Sequence, residues 1–231
     1  MNELLMLVQL IGIITVPVCF FFILYRVCVQ VFESLSFSYK NALFITLFLL
    51  SSTFFPSILF PSSEHIFLFS IHSWNIGIHP TGFVLPVLIS TVLFVKNKPK
   101  FHFLVLSLIP VSIMAFLMTA PVLDKGIVSP FPLWLFPGFM AAMISVLNKD
   151  RLGEQMNANA FFLSVFGIIF GADLAHLPTL ISFAPFSPMN AVLGGASGFD
   201  LILLSGLLSV LFVDLFLYTE QLIQRIRSPS F

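Results

Sequence analysis

The sequence predicts an all-α polytopic membrane protein of about seven transmembrane helices, with the N-terminus outside and the C-terminus inside. Three observations carry that expectation. Of 231 residues, 58% are apolar and only 9% are charged, against about 25% charge in an ordinary soluble domain, and the mean hydropathy is +1.07. Seven apolar stretches recur, over residues 4–25, 41–60, 80–95, 101–118, 131–147, 159–177 and 200–222. At roughly 20 residues per span they occupy the chain as a single integral membrane domain, 1–231. Basic residues also alternate. Arg26 and Lys40, then Lys96, Lys98 and Lys100, then Lys149 and Arg151, then Arg225 and Arg227 fall on one side of a seven-span chain. Lys125 falls on the other side, with Glu3, Glu64 and Asp124. The side rich in Lys and Arg is the cytoplasmic one.

The same composition excludes a soluble enzyme and a disordered tail. Ten Lys and Arg balance ten Asp and Glu, so no global field recruits nucleic acid, and membrane lipid is the expected surrounding. The first stretch lacks a basic leader, carries Glu3 ahead of it and exceeds a signal-peptide core in length, so it reads as a span. Cys19 and Cys28 would lie ~13 Å apart along one helix, beyond disulfide reach, and read as inert apolar thiols.

Two segments interrupt the helical pattern. Residues 65–78 are β-branched and aromatic with short alternation, the mark of a β-hairpin, placed outside by the topology and able to lie at the membrane surface. Asn75 is expected at its turn, before Gly77. The next stretch, from Pro80 to Val95, makes ~24 Å of helix, short for a ~30 Å hydrocarbon core, so Asn75–Gly82 is expected to dip inward as irregular backbone. Pro178–Phe199 holds no charge, three prolines and the run Gly194-Gly195-Ala196-Ser197-Gly198. It is predicted to be a lid or re-entrant element packed on the bundle.

Chemistry is carried by few residues. Asp173 and Asp200 lie in or at the edge of the last two spans, and a carboxylate within a bilayer marks a functional site by default. Counting from the span ends puts both toward the extracytoplasmic face at similar depth, so they form a candidate pair. Asp214 lies ~21 Å further along the last helix, near the inner interface, and reads as solvated. His176, three residues after Asp173, shares its face on an ideal helix, either as a hydrogen-bond partner or as a proton acceptor. Gly167 and Gly171 form a small-residue stripe that lets a neighbouring helix approach. His65, His72 and His79 lack metal-ligand spacing, so neither a metal nor a cofactor is expected.

A family resemblance rests on four blocks. They are Asn75-Ile76-Gly77 with Gly82 to Pro86 and Ser90; Pro121 with Gly126 to Pro130; Gly171-Ala172-Asp173-Leu174-Ala175-His176; and Gly194-Gly195 with Gly198-Phe199-Asp200. Over about residues 75–215 the chain resembles the prokaryotic membrane family called domain of unknown function 1614, with His79-Pro80-Thr81 intruding where that family usually continues with glycine. The resemblance implies the inner membrane of a prokaryote and a site made by these blocks: Asp173 and Asp200, supported by Asn75, Gly77, Pro86, Gly171, His176, Gly194, Gly195 and Gly198. It names no substrate. The glycine-rich approach to Asp200 is also similar to presenilin-like and prepilin-peptidase-like intramembrane aspartyl proteases. Here, however, Phe199 precedes Asp200 and Ala172 precedes Asp173.

Three functions stay open. Two carboxylates within hydrogen-bond reach cannot both ionise, so one serves as acid while the other activates water; this leading expectation is an intramembrane aspartyl protease acting on a transmembrane peptide. Broken helices and uncharged re-entrant loops equally suit a small transporter or channel for protons or cations. A non-catalytic scaffold or sensor with two structural aspartates is the third.

Overall fold

The computed structural model describes residues 2–55, 65–123, 125–183, 185, 187–196, 198 and 200–227, with the backbone alone for several residues near the N-terminus. Residues 56–60 of the second apolar stretch, and Glu64, Asp124, Ser197 and Phe199, lie outside the described residues. The chain divides into two compact units, Met1–Leu50 and Ser51–Phe231.

In the first unit, α1 (Asn2–Ser34) carries the first apolar stretch and continues well past it. Its apolar side chains Ile13, Val16, Phe20, Phe22 and Ile23 are exposed, which in water would be an aggregating surface and in lipid is a solvated one. Cys19 is exposed, Cys28 is buried, and both are free. The helix stops by a Schellman turn. Ser36 takes a positive φ of 65°, the Phe37 N–H reaches the Phe32 carbonyl at 3.2 Å and the Ser36 N–H that of Glu33 at 2.8 Å, and the Phe32 and Phe37 rings meet edge-on. The second helix, α2 (Tyr39–Phe54), begins beyond this turn.

The second unit opens on the expected hairpin, β1 (Ile66–Ile71) and β2 (Trp74–Ile78), paired antiparallel. The turn is His72-Ser73, not Asn75. Asn75 sits inside β2, where its carboxamide oxygen accepts from Ser70 at 2.8 Å and its Nδ2 donates to Asn190 at 3.2 Å. His72 is held at φ 51°, a conformation that costs an L-residue about 1–2 kcal/mol and glycine almost nothing. His72→Gly is therefore expected to raise the unfolding midpoint in detergent, by about 1 kcal/mol of stability; an unchanged or lower midpoint would contradict the turn geometry.

Residues 75–82 are not irregular backbone. β2 runs to Ile78, and α3 (Pro80–Asn97) starts at once, its first turn a π-helix over Pro80–Val84. The buried His79 ring caps it, Nδ1 accepting the Thr81 and Gly82 N–H groups at 3.2 and 3.3 Å. Proline lacks an N–H, so the start of a helix is where it is tolerated. Then follow α4 (Phe101–Met118), a short hairpin of β3 (Ala120–Val122) and β4 (Gly126–Val128), α5 (Leu133–Leu147), α6 (Lys149–Ser182), β5 (Met189–Leu193) and α7 (Leu201–Arg227).

The described part of each of the seven apolar stretches thus lies almost wholly on a helix. Among the described residues five helices are long and apolar enough to cross a membrane: Thr15–Ser34 of α1, then α3, α4, α6 and α7 up to Ile226; α5 is apolar but shorter. The molecule is a mostly helical membrane protein.

Close packing of α5, α6 and α7 is written in small residues. A Cβ on Gly138 would lie 2.7 Å from the Ser205 carbonyl oxygen, and one on Gly206 would lie 2.9 Å from the Phe161 ring. Ala141, Ala142 and Ala160 are fully buried. Buried hydroxyls at these contacts find partners: Ser164 donates to Ser205 at 2.8 Å, and Asn159 to Ser145 at 2.9 Å. Tight approach is what holds helices together where lipid is as apolar as the side chains.

Candidate functional site

β5 decides the architecture at one end of the bundle. It pairs parallel with β2, Trp74 opposite Met189 through Ile78 opposite Leu193, giving a three-stranded sheet in the order β1-β2-β5. Within the uncharged segment after α6, Met189–Leu193 is therefore a strand packed against the end of that helix. Pro178 belongs to α6, which runs on to Ser182. Trp74, Ile76 and Leu180 form a buried cluster with Ile127 and Leu177, and the Trp74 indole donates to the Phe183 carbonyl at 2.9 Å. After β5 the chain turns at Gly194, with φ 74°, and a Cβ there would lie 2.5 Å from the Gly82 carbon. Only glycine allows both the turn and the approach to the π-helical start of α3.

This packing leaves a cavity of about 390 Å³ between the end of α6, the β3–β4 hairpin, β5 and the start of α7. Asp173 and Asp200 both line it, with Ile76, Ile127, Leu177, Leu180, Asn190, Val192, Gly194 and Gly195, and with Lys125 and Gly126 from the hairpin. The two carboxylates thus face one cavity. They are held differently. Asp200 caps α7: Oδ1 accepts the Ile202 N–H at 2.9 Å and Oδ2 the Ala196 N–H at 3.3 Å, as N-cap aspartates do. Asp173 lies in a π-helical turn of α6, Ile169–Leu174, and its Oδ2 is buried with no hydrogen-bond partner. A buried polar atom without a partner is costly and calls for an explanation.

The π-turn also explains a misplaced partner. His176 does not pair with Asp173. Its Nε2 lies 3.1 Å from the Phe116 carbonyl oxygen of α4, and its ring stacks on Phe116 at 4.4 Å. A turn closed by i→i+5 bonds carries more residues per revolution, so side chains three apart no longer share a face. Gly171 and Gly167 in the same region point at α4 instead, where a Cβ would meet the Ser112 carbonyl oxygen at 2.0 Å and Val111 at 2.4 Å. The glycines serve helix contact and leave Asp173 to the cavity.

Of the candidate residues, Asp173, Asp200, Gly194 and Gly195 come together in the cavity wall. Asn75 reaches the wall through Asn190, while Gly77, Pro86, Gly171, His176 and Gly198 lie outside the lining. Gly77 sits in β2 against His65, Pro86 is buried at the start of α3, and Gly198 is buried in the loop. Lys125 and Asn190 were missed by the sequence reading. Lys125 had one signal, being the lone basic residue on its side of the expected seven-span topology; Asn190 had none before its strand was known. Asp214 is not simply solvated, since Asn157 donates to its Oδ1 at 2.9 Å. Among the described residues no cluster of three or more His, Cys, Asp or Glu could hold a metal ion.

Comparison with curated proteins and with solved structures gives no match. A family model matches residues 62–212, well over half of the chain, taking in the sheet, the hairpin, both aspartates and the first part of α7. The chain belongs to that family, described as Protein of unknown function (DUF1614).

Proposed function

We propose that this protein is an intramembrane aspartyl protease of a prokaryotic inner membrane, cleaving a transmembrane peptide with Asp173 and Asp200. The observation that carries the reading is the cavity: two carboxylates from consecutive helices share it, and one wall is a strand whose outer edge is open. Met189 and Leu193 spend their backbone groups on β2 and its ends, at 2.9 Å each. In a parallel pair alternate residues direct their backbone groups to opposite sides, so Ala191 also faces β2 and its two neighbours do not. The Asn190 N–H and C=O and the Val192 N–H therefore point away from β2, and among the described residues no strand pairs with that edge. A peptide must be extended to be cut, and adding it as a strand along β5 supplies backbone hydrogen bonds that need no particular side chain.

The chemistry follows from how each carboxylate is held. Asp200, with two N–H donors, stays the base and takes a proton from a water molecule. Asp173, with an oxygen lacking a donor, holds the shared proton and gives it to the carbonyl oxygen as the water oxygen adds to the carbonyl carbon. The tetrahedral intermediate then collapses: the C–N bond breaks as Asp200 gives its proton to the amine nitrogen. A hydroxyl of the intermediate gives a proton to Asp173 to leave the product carboxyl group, and the dyad regains its starting state.

Seven spans with the N-terminus outside place this cavity at the extracytoplasmic face. The distribution of Lys and Arg supports that orientation; the exposed Phe67, Leu68 and Phe69 of β1 are apolar enough to lie in a membrane surface on either side. Cysteines introduced at Asn97 and at Ser187 are expected to label from opposite sides of the membrane with an impermeant maleimide; labelling from one side would reject the span count. The catalytic reading is tested by cleavage of a reporter with a helical transmembrane segment, which each of Asp173→Asn and Asp200→Asn is expected to abolish.

A further inference from the structure

Between α3, α4 and α6 lies a second feature, which shares no lining residue with the aspartate cavity. A groove of about 400 Å³ between them is almost wholly apolar, lined by Phe94, Phe101, Phe162, Phe166 and Phe170 with Leu108. The rings run as a ladder: Phe94 stacks on Phe162 at 5.7 Å, Phe162 lies 4.6 Å from Phe166, and Phe166 lies 6.2 Å from Phe170. Beyond its end lies a pocket of about 250 Å³ lined by Lys98, Lys100, Arg151 and Gln155. A narrow neck joins the two, sharing Phe94, Leu104 and Phe162 with the groove and Asn97, Pro99 and Leu152 with the basic pocket.

The basic pocket is not balanced. Asp150 and Glu154 flank Arg151 in sequence, yet neither lines the pocket, and the neighbouring Lys149 pairs with Glu220, which does not line it either. Arg151 is held in place by the Phe103 ring, 5.9 Å from its guanidinium carbon. In the neck, the buried Asn159 carboxamide oxygen has no hydrogen-bond partner. Three cations over one polar pocket, continuous with an aromatic slot, match a molecule with a phosphate at one end and a hydrocarbon chain at the other.

We infer that this surface is a specific site for one anionic phospholipid, the phosphate held by Lys98, Lys100 and Arg151 and an acyl chain laid along the phenylalanine ladder. Basic pockets between helix ends capture lipid phosphates in this way, and a guanidinium binds phosphate oxygens as a fork. The site is separate from the aspartate cavity and stands whether or not the protein cuts peptides.

Native mass spectrometry of the detergent-purified protein tests it, with phosphatidylglycerol, phosphatidylcholine of the same chains, a six-carbon-chain phosphatidylglycerol and inorganic phosphate as probes. One phosphatidylglycerol is expected to be retained per chain, in preference to phosphatidylcholine. The triple variant Lys98→Gln, Lys100→Gln, Arg151→Gln is expected to weaken that retention roughly 100-fold, and Arg151→Gln alone about fivefold. The short-chain lipid should bind more weakly than the long-chain one. Equal retention of both headgroups, or a triple variant with the wild-type melting midpoint and undiminished retention, would overturn the inference. Displacement by millimolar inorganic phosphate with no chain-length dependence would overturn it too, by showing an anion site without a lipid.

Discussion

Asp173→Asn and Asp200→Asn are each expected to lower peptide cleavage by about 10²–10⁴-fold, the contribution typical of a positioned acid or base. Asparagine keeps the size of the side chain and its carboxamide oxygen but cannot carry the shared proton. The two substitutions also separate catalysis from folding. Asp200 is the N-cap of α7, with the Ile202 N–H on Oδ1, and asparagine caps a helix about as well as aspartate does. Asp200→Asn should therefore leave the melting midpoint close to wild type, whereas Asp200→Ala should add a loss of roughly 0.5–2 kcal/mol to the same catalytic defect. A scaffold with two structural aspartates would behave in the opposite way, changing stability with each substitution and having no cleavage to lose.

Gly171→Ala is expected to destabilise the bundle by about 1–3 kcal/mol, the range for forcing extra atoms into a packed contact. The methyl group would stand 2.0 Å from the Ser112 carbonyl oxygen and 2.7 Å from its carbon. Both are backbone atoms of α4, so no rotamer change relieves the clash and the helices must part. Because Gly171 shares its π-turn with Asp173, cleavage should fall along with stability. The loss is measured as a lower unfolding midpoint in detergent, and Gly126→Ala is the control for addition of a methyl group. Gly126 has open space around it, but its φ of 81° leaves a strain cost for alanine. A midpoint for Gly171→Ala no lower than that of wild type would contradict the close approach of α6 to α4.

How much of this was legible in the sequence depends on how local the signal is. The hairpin at residues 66–78 was readable because β-branched and aromatic residues cluster there without a charge. The fourth apolar stretch, 101–118, coincides with α4 because Lys100 and the Thr119–Pro121 break bound it on both sides. The strand β5 was not readable. Its five residues, Met189 to Leu193, show no alternation, and their partner is β2, more than a hundred residues away in the chain. Parallel pairing across such a distance leaves little local trace.

The candidate site divides along the same line. Depth counting along two helices was enough to bring Asp173 and Asp200 to one end of the bundle, where both line one cavity. Rotation about the axis was not safe to count. The π-turn over Ile169–Leu174 accompanies the tight contact of Gly171 with Ser112, and it carries His176 away to Phe116. One local signal was present and passed over: a short polar residue directly before an apolar helical run is an N-cap, and Asp200 before Leu201 is that pattern.

The central claim is that this membrane protein cuts peptide bonds with its two aspartates. Its most direct measurement uses the purified wild-type chain in liposomes containing a reporter with a single helical transmembrane segment, and follows both the products by mass spectrometry and the collapse of an imposed pH gradient. The account predicts two product peptides that sum to the reporter plus one water, formed by wild type and absent with either Asp173→Asn or Asp200→Asn, with the gradient intact throughout. An uncut reporter together with a pH gradient that wild type dissipates and the Asn variants preserve would contradict it, and would assign the two carboxylates to proton movement instead.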